Sequence, residues 1–124
     1  MESRLAQRIR KHYADDRSIF LWKIYTGPLS GTTGIPDMGV LSHGRAMFLE
    51  LKTGKAKATP LQLAVMRTIA NQGGCPCVVA RTLGEAIEAI ELWRTEYVVK
   101  GMSGALDVLS DGEWIWPNSG KAIA

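Results

Sequence analysis

A chain of 124 residues holds one domain, and 46% hydrophobic against 22% charged residues is the composition of a folded protein, not a disordered one. No run approaches the ~18 consecutive apolar residues of a membrane span. The opening Glu2, Arg4 and Arg8 also differ from the greasy start of a secretion signal, so a soluble cytoplasmic protein is expected. The net charge of +3 conceals a division: residues 1–84 carry twelve Lys and Arg against five acids, and the remainder three against seven. Between Arg17 and Gly84 the only acids are Asp37 and Glu50, among eight bases, a pattern that suits a polyanionic partner.

From Glu2 to about Tyr13, Leu5, Ile9 and Tyr13 recur at helical spacing, with Arg4, Arg8 and Lys11 on a separate basic stripe. Asp15-Asp16 reads as a solvated helix exit. Ile19 to Tyr25, rich in β-branched and aromatic residues, predicts a strand, and the Gly/Pro/Ser/Thr stretch from Thr26 to Pro36 a loop. Asp37 to Leu41 and Arg45 to Lys52 predict two strands around Ser42-His43-Gly44, followed by a basic turn through Lys57. Thr59-Pro60-Leu61-Gln62 opens a helix that Gly73-Gly74 ends. Cys75 to Ala80 is a short buried strand, and Thr82 to Glu85 a second capping box before a helix to about Arg94, with Ile87, Ile90 and Trp93 inward. A right-handed crossover sets the strand at Cys75 parallel to that of Glu50. In the tail, Asp111-Gly112 predicts a turn between Val108-Leu109 and Trp114 to Trp116. The order α-β-β-β-α-β-α with a β-like tail is an α/β pattern, a mixed sheet flanked by helices. Residues 1–94 form the domain, and 95–124 an extension packed on it or at a dimer interface.

Cys75 and Cys77 flank Pro76 and read as small strand residues. A zinc site would need two more ligands, and His12 and His43 stand at no recognisable spacing. The chemistry lies in Pro36-Asp37 and Glu50-Leu51-Lys52. If His43-Gly44 is a two-residue turn, Ser42 pairs with Arg45 and Asp37 lies opposite Glu50, with β-carbons about 4.5–5.5 Å apart. Lys52 shares that face. Facing carboxylates repel unless a cation sits between them. This hard-oxygen spacing suits Mg²⁺, with the backbone carbonyl of Leu51 as a third oxygen.

These residues resemble the metal-binding core of the PD-(D/E)XK nucleases. More narrowly, Gly34-Ile35-Pro36-Asp37, Glu50-Leu51-Lys52-Thr53-Gly54 and the helical Gln62 resemble the VRR-NUC branch, as does Val78-Val79-Ala80-Arg81 after Gly73-Gly74. The resemblance spans roughly residues 2–93. It implies a restriction-endonuclease-like core and Mg²⁺-dependent (or Mn²⁺-dependent) hydrolysis of DNA, with branched or junction DNA as the expected substrate, by a homodimer of phage or mobile-element type. Asp37 and Glu50 would hold the metal, Lys52 would be catalytic, Gln62 would assist, and Glu2 would complete the site.

Lys55, Lys57, Arg45 and Arg81 are candidate phosphate contacts, which position a backbone without reading bases. Two readings compete with a nuclease. One is a non-catalytic nucleic-acid-binding module of the same fold, and the other an interaction domain that uses the acidic last third and its tryptophans. For the site residues themselves, the competing reading is a salt-bridge cluster on a solvated sheet, with Gln62 merely a capping residue.

Overall fold

The computed structural model describes residues 3–24 and 34–95, and of residues 114–115 the backbone alone. Helix α1 (Arg4–His12) starts at Ser3, whose hydroxyl oxygen accepts the Ala6 N–H at 3.1 Å. Leu5, Ala6, Ile9 and the following Tyr13 are buried, while Arg4, Arg8 and Lys11 stay exposed, as the helical spacing predicts. The helix exit is less solvated than expected. Asp16 accepts from the Ser18 N–H and hydroxyl and pairs with Arg94 at 2.7 Å. The Ser18 hydrogen bonds, helped by Arg94, hold its carboxyl down at about 2.

Strands β1 (Phe20–Lys23), β2 (Met38–Ser42) and β3 (Arg45–Leu51) form an antiparallel meander. The β2–β3 turn is the two-residue one that the register argument requires. Ser42 pairs with Arg45, and His43 and Gly44 both take positive φ (50° and 79°). Two such residues make a turn whose twist matches that of the strands. Ser42 donates its hydroxyl proton to the Ser18 carbonyl at 2.6 Å, so the His43 Nδ1 at 2.9 Å is the donor to Ser42.

Helix α2 (Pro60–Gly73) carries the full capping box and Pro at its start, and ends at Gly74 in the left-handed region, φ 71°. The chain then enters β4 (Cys77–Ala80), parallel to β3, with Glu50 beside Val79. The crossover expectation is met. Helix α3 (Leu83–Trp93) follows, with Thr82 Oγ1 accepting the Glu85 N–H. The reciprocal half of its box is redirected, since Glu85 accepts the Arg81 N–H at 2.9 Å. Ala86, Ala89, Ile90 and Trp93 are the buried stripe of α3, and Ile87, expected inward, is only half-buried at its margin. Strand β5 (Trp114–Ile115) adds to the far side of β4, antiparallel. Val108, Leu109 and Trp116 of the predicted tail hairpin lie outside the described residues.

The architecture is therefore α/β, a mixed sheet in the order β1-β2-β3-β4 with β5 beyond β4. Alternation divides the side chains between two faces. Met38, Val40, Met47, Leu49, Val78 and Ala80 join α1 and α3 in the main core. Cys77 and Val79 meet Met66 of α2 on the other face, with Phe48 packed against them. Both cysteines are free, and burial pushes the Cys77 thiol up to about 12, which suits a packing role. No described helix is long and apolar enough to cross a membrane.

Candidate active site

The acid pair lies where β2 and β3 leave their ladder. The register of Met38 with Leu49 continues to Asp37 opposite Glu50, on the face covered by α2. The backbone carbonyl of Asp37 accepts the Ile24 N–H at 2.9 Å, and its Oδ2 accepts the Leu51 N–H at 2.8 Å. One register step further, Leu51 faces Pro36. A proline brings no N–H to that ladder position, so the Leu51 carbonyl gets no ladder donor there and the pairing ends; the Leu51 N–H is taken by the Asp37 carboxylate.

Glu50 is 3% exposed, a buried carboxyl that demands an explanation. Its Oε2 receives both available donors, Lys52 Nζ at 3.2 Å and Gln62 Nε2 at 3.0 Å. Its Oε1 is buried with no hydrogen-bond partner among the described residues. Burial, then the charge of Asp37, raise the Glu50 carboxyl to about 7, while Lys52 opposes them. A cation between the two carboxylates would give that oxygen a partner and relieve their repulsion. Asp37, Glu50 and the Leu51 carbonyl fit a hard divalent ion, which typically takes one or two carboxylates and fills its other positions with water and phosphate. Among the described residues no group of three or more His, Cys, Asp and Glu comes together to hold a metal ion.

The raised carboxyl makes a signed prediction for the metal-free protein. A folded-state pKa above the ordinary 4.5 means that Glu50's contribution to stability is fully present below pH 4.5 and lost as pH rises through about 7. In chelator, wild type is expected to lose on the order of 3 kcal/mol relative to Glu50→Gln between pH 4.5 and 8. Added Mg²⁺ should then stabilise wild type and not the variant. Urea denaturation across pH measures both, and parallel pH profiles would contradict the assignment.

Gln62 is a capping residue and also a neighbour of the acid pair. Its Oε1 accepts the Thr59 N–H at 2.9 Å, closing the capping box, while its Nε2 reaches Glu50. The two ends of one amide thus tie the start of α2 to the carboxylate. Lys52, 17% exposed, is the cation paired with Glu50 among the described residues, and Lys55 and Lys57 are exposed on the turn that follows β3. Arg81 donates to the Ala56 carbonyl at 2.9 Å and so braces that turn. Arg45 is not brought to the site. It stands at the hairpin, roughly 17 Å of strand from Glu50, and on the alternation of Met47 and Leu49. Glu2 lies outside the described residues.

Sequence reasoning missed the Leu51 amide as the group that orients Asp37 and the clamp from Arg81 to Ala56. The first had a partial signal in Pro36, which ends the ladder beside Leu51 but does not say where the Leu51 N–H goes. The second had none, because its partners are 25 residues apart and one of them is a backbone carbonyl. No protein-family model matches this chain, and no curated protein matches it by sequence.

Proposed function

We propose that this protein is a divalent-cation-dependent endonuclease of restriction-endonuclease-like fold and VRR-NUC type that hydrolyses phosphodiesters in DNA, branched DNA above all, as a homodimer. The observation that carries the reading is the buried Glu50 facing Asp37, with Lys52 and Gln62 on one oxygen and no donor on the other among the described residues. A plain cross-strand salt bridge would leave neither a buried orphan oxygen nor a second acid beside it. Asp37, Glu50 and the Leu51 carbonyl would hold Mg²⁺ or Mn²⁺, which supplies Lewis-acid activation of a phosphoryl group and of water.

The chain's own residues do the rest. Lys52 brings positive charge to the phosphoryl oxygens as negative charge builds there. Gln62, fixed by Thr59, holds the Glu50 carboxylate in orientation, and the Leu51 N–H does the same for Asp37. Lys55 and Lys57 hold flanking phosphates without reading sequence.

The test is cleavage of end-labelled four-way-junction DNA beside a linear duplex, in Mg²⁺, in Mn²⁺ and in chelator. Metal-dependent cutting that disappears in Asp37→Asn is the expected outcome, with symmetric nicks at the junction as the mark of a dimer. A folded wild type that cuts no DNA substrate in either metal would defeat the proposal.

A further inference from the structure

The sheet face that carries the acid pair continues away from it as an aromatic shelf. One row beyond Asp37 and Glu50, the register places Trp22, Gly39 and Phe48 side by side, and the next row holds Phe20, Leu41 and Ala46. Phe20 and Trp22 stack with centroids 6.0 Å apart and planes 25° apart, and Trp22 meets Phe48 edge-on at 6.1 Å. The indole lies flat on the sheet because Gly39 has no side chain: a Cβ there would come within 2.2 Å of the ring. Phe20 is 61% exposed and Leu41 40%. Helix α2 packs on the other end of this face, where Met66 meets Cys77 and Val79 with Phe48 against them.

Building on the proposed nuclease site, we infer that Phe20 and Trp22 form a stacking platform for unpaired nucleobases next to the scissile phosphate. Three observations select this occupant. The exposed groups are led by aromatic rings laid along the sheet, and every nucleobase offers a π-face to such rings. The shelf is continuous with the acid pair, its outer row about 13 Å from Asp37 and Glu50 along the strands. The charge runs the right way: Lys52, Lys55 and Lys57 lie beyond the acids on the opposite side, so a strand crossing the site meets cations on one side and rings on the other. Bases inside a continuous duplex are stacked on one another and do not reach a flat shelf. The substrate class is therefore DNA with unpaired nucleotides beside the cut, as in a flap, an open branch point or a single strand.

The test compares wild type with Phe20→Leu, which keeps apolar bulk and removes the π-face, and with Phe20→Tyr, which restores a ring. Binding of labelled oligothymidylate and of a labelled blunt duplex is read by fluorescence anisotropy in chelator, and cleavage of a flap and of the duplex in Mg²⁺. Phe20→Leu should weaken oligothymidylate binding by roughly 5-fold or more and lower the flap-to-duplex cleavage ratio, with duplex binding unchanged and Phe20→Tyr near wild type. Equal effects on both DNAs, or no effect of Phe20→Leu on a wild type that cuts DNA, would overturn the platform and leave the nuclease reading standing. A change of oligomeric state in Phe20→Leu by sedimentation, without a change in the binding ratio, would reassign the shelf to contact between copies. A wild type that neither binds nor cuts DNA would remove the nuclease reading, and the platform with it.

Discussion

Lys52→Ala is expected to lower the rate of DNA cleavage by roughly 10²–10³-fold, the usual effect of removing one preorganised donor aimed at developing charge. Lys52 stands 3.2 Å from Glu50 and is largely enclosed, so no solvent cation replaces it well. The substitution acts in two separable ways. Lys52 opposes the burial and the Asp37 charge that raise the Glu50 carboxyl, so without it that carboxyl moves above about 7 and holds its proton more tightly. Divalent-cation binding at neutral pH should then weaken, and raising the pH should restore it. The loss of turnover should persist at high pH, because the missing ammonium is not replaced by deprotonating Glu50. Single-turnover cleavage at saturating Mg²⁺ across pH separates the two effects. A Lys52→Ala protein with wild-type turnover would end the catalytic assignment. Lys52→Arg is not a conservative control, since a planar guanidinium does not reproduce a compact ammonium at this distance.

Trp93→Ala is expected to remove about 3–5 kcal/mol of stability, the range for truncating a buried aromatic side chain. A domain of this kind holds about 5–15 kcal/mol in total, so much of it would be lost and the variant would be partly unfolded at modest urea concentrations. Trp93 is fully buried at the end of α3, in the core that joins α1, α3 and the sheet. Its indole N–H has no acceptor among the described residues. Trp93→Phe removes that unsatisfied donor together with some volume and should cost clearly less than Trp93→Ala. Ile87→Ala, on the half-buried margin of the same helix, should also cost less. Urea midpoints for the three variants test the order, and a Trp93→Ala protein as stable as wild type would contradict the packing described.

Proline explains two features of the site that neither charge nor hydrophobic pattern anticipates. Pro36 ends the β2–β3 ladder beside the acid pair because it has no N–H to give the Leu51 carbonyl, and the Leu51 N–H goes to Asp37 Oδ2 and anchors that carboxylate. Pro60 at the start of α2, with the Thr59 cap, places Gln62 where one amide serves both the helix terminus and Glu50. Local helix and ladder signals therefore also set the geometry of the side chains that surround the carboxylates.

Much was legible in the chain by itself, because the signals are local. Thr59, Pro60, Gln62 and Gly74 mark α2 through hydrogen bonds and φ values that involve only near neighbours. His43-Gly44 sets a two-residue turn, and from that turn the register alone brings Asp37 to Glu50. The division of α1 into an apolar and a basic face follows from its 3.6-residue period. What the tertiary structure decided depends on contacts between distant segments. Only the folded sheet lays Trp22 over Gly39. Only packing makes Ala86 and Ala89, rather than Ile87, the inward side of α3. The protonation of Glu50 belongs to the same class, since burial under α2 and the facing charge of Asp37, not the identity of the residue, lift its carboxyl to about 7. Periodicity and turn chemistry act over a few residues, whereas desolvation and electrostatic proximity exist only once strands and helices have come together.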